Sequence, residues 1–245
     1  MKIIGIIPAR YASTRFPGKP LIDIGGKTMI QRVYEQAKKA HYLTDVVVAT
    51  DDERIEKEVR NFGGKAVMTS ITHQSGTDRC FEALGSFASA DIVINIQGDE
   101  PFIHPQQIDE IAACIENNNG VEIATLIKKI STKDDLFNSN IPKVIFNKNK
   151  EALTFSRQTL PYLRGKESDE WLNDHVFYKH IGIYAYRADV LADIVKLKPS
   201  SLELAEGLEQ LRWMENGYKI KIELTDFESV AVDAPEDLKK LNNFL

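Results

Sequence analysis

Three cations, two hydroxyls and a glycine crowd one short stretch, Arg10-Tyr11-Ala12-Ser13-Thr14-Arg15-Phe16-Pro17-Gly18-Lys19. Arginine forks match phosphate oxygens, lysine adds a point charge, and glycine lets the backbone approach closely, so the set suits a polyphosphate. Its spacing is neither GxGxxG nor a Walker loop, and a solvated surface loop would have a similar composition. Two carboxylates follow strand-like runs elsewhere: Asp99 in Gln97-Gly98-Asp99-Glu100-Pro101, and Asp233 after residues 229–232. Hard oxygen ligands beside a phosphate loop suit Mg²⁺, which takes one or two carboxylates plus substrate phosphates. Turn or helix-cap duty is the competing use of each aspartate.

Ser75-Gly76-Thr77-Asp78-Arg79 reads as the junction of a strand and a helix. Backbone N–H groups there recognise an anion or the polar edge of a base, although a plain capping motif has the same spelling. The five histidines form no ligand-spaced cluster, so a zinc hydrolase has no support. His180, in a strand near Tyr184, is the pocket candidate among them, against the commoner packing role of a lone strand histidine.

These residues need a scaffold that brings them to one edge. Ile3-Ile4-Gly5-Ile6-Ile7 is a β-branched run that predicts a strand buried on both faces. Helix and strand patterns then alternate: Ile30, Val33, Tyr34 and Ala37 at helical spacing, a strand Val46 to Ala49, a helix over Ile55, Val59 and Phe62, and a strand Ala66 to Thr69. A helix around Cys80, a strand Ile92 to Ile96, a helix over Ile108 to Ile115 and a strand near Ile123 to Ile127 continue the series. Repeated βα units predict an α/β, Rossmann-like, predominantly parallel twisted sheet flanked by helices. The basic loop and both aspartates then fall at the carboxyl ends of strands, where open α/β sheets bind ligands.

From about residue 131 the pattern changes. Lys143 to Asn147 and Ala152 to Ser156 flank a polar turn and predict a hairpin, while residues 157–177 follow neither period. The chain is therefore expected to be a single domain, 1–245, with residues near 131–186 as an inserted β-rich subdomain. Tyr178 to Tyr186 predicts a strand, 204–214 one amphipathic helix, 219–224 and 229–232 further strands, and Pro235 the start of a last helix.

The size of 245 residues permits one substantial core, and 43% hydrophobic with 27% charged residues is an ordinary globular balance. A net charge of −5 argues against general nucleic-acid binding. No run approaches the roughly 20 apolar residues of a membrane span, and no cleavage-site pattern follows the first strand. Cys80 and Cys114 lack metal or disulfide spacing and read as buried, reduced thiols of a cytoplasmic protein.

Taken together the motifs resemble the nucleotidyltransferases that activate 3-deoxy-D-manno-octulosonate (Kdo) as its CMP sugar. The likeness runs through residues 7–21, Ala49-Thr50-Asp51-Asp52, residues 75–79 and residues 97–101. It continues in Phe155-Ser156-Arg157, Lys179-His180-Ile181-Gly182-Ile183-Tyr184, Leu208-Glu209-Gln210-Leu211-Arg212 and residues 232–238. The first motif is shared by many sugar nucleotidyltransferases; the later ones narrow the sugar.

The resemblance implies that the anomeric hydroxyl of Kdo attacks the α-phosphorus of CTP, giving CMP-Kdo and pyrophosphate. Arg10, Ser13, Thr14, Arg15 and Lys19 would bind the triphosphate, with Arg10, Lys19, Asp99 and Asp233 catalytic and both aspartates holding Mg²⁺. The metal would polarise the α-phosphate and lower the pKa of the attacking hydroxyl, so no dedicated base is required. Ser75, Gly76 and Arg79 would line the cytosine pocket. Gln97, Arg157, His180, Tyr184, Glu209 and Gln210 match the sugar-binding set, with Arg157 for the sugar carboxylate.

Two stretches are distinctive. Pro142 precedes a strand that in many relatives begins without it, which predicts only a local change of strand entry; Arg164 to Asn173 lies where the family carries an excursion used partly for dimer contacts. The family further implies a homodimer, a cytoplasmic reaction and lipopolysaccharide biosynthesis in a Gram-negative bacterium. The 8-amino-8-deoxy analogue of Kdo is the nearest alternative substrate, an N-acylneuraminate a more distant one. A non-catalytic nucleotide-binding regulatory module is the alternative of another class.

Overall fold

The computed structural model describes residues 1–12, 16–87, 89–228 and 230–243. The opening apolar run forms β1 (Ile3–Ala9), followed by a 3-10 turn (Lys19–Leu21) and a small antiparallel pair, β2 (Asp23–Ile24) and β3 (Lys27–Thr28). Then come α1 (Met29–Ala37), β4 (Asp45–Thr50), α2 (Glu53–Asn61), β5 (Ala66–Met68), α3 (Gly76–Leu84), β6 (Ile92–Asn95), α4 (Pro105–Glu116) and β7 (Ile123–Lys129). The second half holds α5 (Lys133–Phe137), β8 (Lys143–Phe146), β9 (Ala152–Ser156), α6 (Trp171–Asp174), β10 (Tyr178–Arg187), α7 (Ala188–Ile194), α8 (Ser201–Glu206), α9 (Gln210–Glu215) and β11 (Ile220–Leu224).

The main sheet has the order β11-β7-β10-β6-β1-β4-β5. β1 runs parallel to β4 and β6, and β11 parallel to β7, while β10 lies antiparallel between β6 and β7. The predicted mixed α/β architecture with a mostly parallel sheet is what forms. Alternation along the strands feeds both faces. Ile3, Ile7, Val46 and Val48 pack with Ile30 and Ile111 on one side; Ile4, Ile6, Val47 and Ala49 pack with Cys80, Leu191 and Trp213 on the other. Both cysteines are free and buried, and burial raises their thiol pKa values, that of Cys114 to about 11.

β8 and β9 form the expected hairpin, and β8 attaches to β10 through the pair Lys179 and Lys143. β10 thus belongs both to this region and to the central sheet. Pro142 stands immediately before β8, its carbonyl accepting from the His180 N–H at 2.9 Å.

Three expectations are corrected. The single helix over 204–214 is two, because Gly207 (φ +62°) closes α8 in the left-handed region and the chain re-enters a helix at Gln210. Leu204, the first apolar residue of that stretch, is 72% exposed. Among the described residues, 230–232 form no strand; Val232 is buried and its N–H donates to the Asp99 carbonyl at 2.9 Å. The last helix, Pro235–Asn243, is 3-10. No helix of the described residues is long and apolar enough to cross a membrane.

Candidate active site

The sheet's order reverses at β1, whose next strand in the sheet, β4, lies on one side while β6, added after β5 and α3, lies on the other. A crevice forms at such a point beyond the strand ends. Here it is lined by Pro8, Ala9 and Arg10 after β1, Gln97, Gly98 and Asp99 after β6, residues 73–76 with Arg79 at the start of α3, and Lys19, Pro20 and Asp233. Local packing explains the closeness. A Cβ on Gly98 would stand 2.7 Å from the Pro8 carbonyl oxygen, and one on Gly76 3.2 Å from the Pro8 ring. Only a residue without a side chain lets the β6 turn pass so near β1.

The charged end is built by three segments. Gly18 N–H donates to the Tyr11 carbonyl (2.9 Å), closing the basic loop, and the Tyr11 ring lies 3.3 Å beneath the Arg54 guanidinium. Ser13, Thr14 and Arg15 lie outside the described residues. Lys19 Nζ donates to Asp99 Oδ2 at 2.8 Å and stands 3.7 Å from Asp233 Oδ1. Asp233 is aimed by its own turn, since Asp237 Oδ2 accepts from the Asp233 and Ala234 N–H groups, both at 2.9 Å. Two carboxylates converging on one cation are a donor set that Mg²⁺ accepts, its other ligands coming from phosphates and water.

At the other wall Ser75 and Asp78 form a reciprocal capping box at the start of α3. Ser75 thus caps its helix while also lining the crevice. Arg79, 4% exposed, donates to Thr69 Oγ1 (2.5 Å) and Asp51 Oδ2 (3.0 Å), tying the ends of β4 and β5 beneath the site.

Of the six residues assigned to the sugar, Gln97 alone lines this crevice, and its Nε2 donates to the Gly182 carbonyl at 2.8 Å, beside the bulge in β10. His180, Tyr184 and Glu209 form an adjoining buried cluster, and Gln210, also buried, follows Glu209 at the start of α9. Tyr184 lies 5.2 Å from the His180 ring and 5.1 Å from the Trp213 ring, and Thr77 Oγ1 donates to Glu209 Oε2 at 2.7 Å. Burial depresses His180 to about 3, so its ring is neutral. Burial raises the Glu209 carboxyl, and burial with the nearby Glu209 raises the Tyr184 phenol. Arg157 sits further out: its Nε donates to the Glu206 carbonyl (2.5 Å), Nη1 to that of Ser139 (3.1 Å) and Nη2 to that of Gly207 (3.3 Å).

Buried polar atoms without a hydrogen-bond partner among the described residues include Tyr184 Oη, Gln210 Nε2 and Asn95 Oδ1. Asn95 is paired across the strands with Tyr184, and its Nδ2 lies 3.9 Å from where a Gly76 Cβ would stand. Such orphans are rare and costly unless a ligand or water completes them. Sequence reasoning overlooked Asn95, a polar residue inside an apolar strand, and His73 and Gln74, which precede the capping box on the crevice wall. The signal for Asn95 was its position at the carboxyl end of a buried strand; His73 and Gln74 carried none beyond adjacency to Ser75.

A fold reversing at β1, with a basic loop and paired carboxylates at the reversal, defines a nucleotide-handling α/β enzyme. The chain belongs to the cytidylyltransferase family, whose sequence profile matches residues 4–222. A 3-deoxy-manno-octulosonate cytidylyltransferase of Parabacteroides distasonis is 60% identical over 250 residues, spanning 100% of this chain and 98% of its own. One of Bacteroides thetaiotaomicron is 58% identical with the same coverage. The solved structure of a CMP:2-keto-3-deoxy-manno-octonic acid synthetase complexed with CTP superposes with a TM-score of 0.92, at 42% identity, over 100% of this chain and 98% of that one. A 4-diphosphocytidyl-2C-methyl-D-erythritol synthase of Anaerococcus prevotii, 12% identical with a TM-score of 0.60 and 99% and 98% covered, shares the fold.

Proposed function

We infer that the chain is a nucleotidyltransferase that activates Kdo with CTP, forming CMP-Kdo and pyrophosphate. The observation that carries the reading is Lys19 Nζ held between Asp99 and Asp233 in a crevice that Arg10 also lines. The relatives supply the substrate pair, each being named for Kdo cytidylyl transfer or solved with CTP.

In this reading Arg10 and Lys19 take the phosphate oxygens of CTP and stabilise charge on the leaving pyrophosphate. Lys19 then leaves the two carboxylates, which would hold Mg²⁺. The metal supplies shielding of the phosphate charge and polarisation of the α-phosphate when bound. A sugar oxygen forms the new bond to the α-phosphorus as the bond to the β-phosphate oxygen breaks. Ser75, Gly76 and Arg79 line the base end; Tyr184, Gln210 and Asn95 offer their unpartnered atoms to sugar hydroxyls, beside Gln97 and Glu209. His180, being neutral, provides one hydrogen bond and no charge. Arg157 supplies the cation for the sugar carboxylate, using the N–H groups that its three carbonyl partners leave over.

The same reading puts the reaction in the cytoplasm, where CTP is made, and in lipopolysaccharide biosynthesis. A homodimer is part of it. Phe137 and Tyr162, 47% and 73% exposed, cover Trp171 beside an apolar cleft lined by Val144, Phe146, Leu160 and Phe177, a surface suited to a second copy.

The test is pyrophosphate release from CTP and Mg²⁺ with Kdo, its 8-amino analogue or N-acetylneuraminate, the nucleotide product being weighed. Release with Kdo is expected. Preference for another sugar would leave the nucleotide site standing and overturn the sugar assignment; CTP binding without turnover on any sugar would favour a regulatory module.

A further inference from the structure

Arg10 and Lys19 reach the charged end of the crevice from the two sides of one backbone contact, the Gly18 N–H donating to the Tyr11 carbonyl at 2.9 Å. The Tyr11 ring packs on Gly18, where a Cβ would stand 3.1 Å from its Cζ and Oη. The same ring lies 3.3 Å beneath the guanidinium of Arg54, a residue of α2 whose side chain is 58% exposed. An exposed arginine gives up much rotamer freedom to hold one position. Asp52 holds this one: Oδ1 accepts from the Arg54 backbone N–H (3.0 Å) and Nε (2.9 Å), and Oδ2 from Nη2 (2.7 Å). Asp52 is itself fixed beyond the end of β4, where it caps α2 and its N–H donates to Oγ1 of the buried Thr50 at 3.3 Å. The paired forks set the guanidinium plane, offset its charge and leave its flat face to Tyr11.

We propose that Arg54 is a positioning residue for nucleotide binding: pinned by Asp52, it clamps the Tyr11 ring on Gly18 and so holds the backbone from which Arg10 and Lys19 reach the β- and γ-phosphates of a nucleoside triphosphate. The placement of those phosphates rests on the cytidylyl-transfer reading. Arg54 touches no phosphate itself. Its effect is preorganisation, since cations already placed where phosphates bind need no ordering when the nucleotide arrives. CMP lacks the two phosphates in question, so its affinity does not depend on the clamp.

Calorimetric titration, with Mg²⁺ and without sugar, compares CTP and CMP binding to the unaltered protein, Arg54→Ala, Arg54→Lys and Tyr11→Ala. Affinity for CTP is expected to fall about three- to tenfold in Arg54→Ala, the scale of a lost cation–π contact, with CMP affinity and melting temperature near normal. An undiminished CTP affinity, or equal losses for both nucleotides, would overturn the proposal. Arg54→Lys keeps the charge and lacks the planar fork, so it should recover little CTP affinity. Full recovery would reduce Arg54 to a distant charge and equally overturn the clamp. Because Arg54 acts through the ring, adding Arg54→Ala to Tyr11→Ala should bring no further loss for CTP; losses that multiply would mark two independent effects and refute it. Failure of the underlying reading looks different: the unaltered protein would then bind CTP no more tightly than CMP, and the clamp would have no triphosphate to serve.

Discussion

Lys19 stands between two carboxylates that would otherwise repel one another across a few ångströms. If those carboxylates serve the reaction, Asp99→Asn lowers kcat by about 10²-fold or more, the scale of losing one preorganised charge, while the melting temperature changes little. Turnover within a few-fold of normal would remove Asp99 from the mechanism. Chelation with EDTA should likewise stop turnover, and Mg²⁺ restore it, with no change in far-UV circular dichroism. His180 offers a prediction about pH. Its folded value of about 3 lies below the ordinary 6.5, so the unfolded chain takes up the proton first as pH falls. Its contribution is complete above pH 6.5 and is lost as pH falls toward 3, at up to about 1.4 kcal/mol per pH unit. Urea titrations of a His180→Asn variant should therefore show a shallower acid decline than the unaltered protein. Parallel declines would contradict the neutral, buried ring.

At the scale of elements, two glycines decide where the chemistry falls. A methyl on Gly98 would meet a backbone oxygen at 2.7 Å, so the β6 turn must shift and carry Asp99 with it. Gly98→Ala should cost about 1–3 kcal/mol in stability and lower kcat more than it raises KM for CTP; unchanged kinetics would mean the turn yields elsewhere. Gly207 divides the predicted long helix in two, so that Glu209 and Gln210 open a second helix instead of continuing the first. Its carbonyl, with those of Ser139 and Glu206, also holds Arg157. Gly207→Ala strains a left-handed position by about 1 kcal/mol and should raise KM for the sugar while leaving that for CTP near normal. Equal effects on both substrates would separate this corner from the sugar.

For the whole molecule, the exposed Phe137 and Tyr162 over Trp171 predict a dimer by sedimentation, and Tyr162→Glu should shift it toward monomer; a monomeric unaltered protein would contradict this. The site draws on segments far apart in the chain, from residues 8–20 through 73–79 and 97–99 to Asp233. Val232 N–H reaches the Asp99 carbonyl, and Val232 and Leu241 pack with Ile24 and Met29, so the last segment seals the charged end of the crevice.

Much of this was legible in the linear chain. A β-branched run such as residues 3–7 has few alternatives to a two-faced strand, and charged residues beyond such runs collect at one sheet edge because every parallel strand ends there. That logic gathers Arg10, Lys19 and Asp99 at one edge; Asp233 reaches the same edge from a segment that forms no strand, anchored by the Val232 N–H on the Asp99 carbonyl. Contacts between segments far apart in sequence were not legible. The amphipathic period over 204–214 carries no trace of the carbonyls that Arg157 gathers at Gly207, nor does an apolar strand announce that Asn95 and Tyr184 will face one another with atoms unpartnered. Periodicity reports which face of an element is buried; which polar groups meet there depends on register and packing between elements, set only when the chain closes on itself.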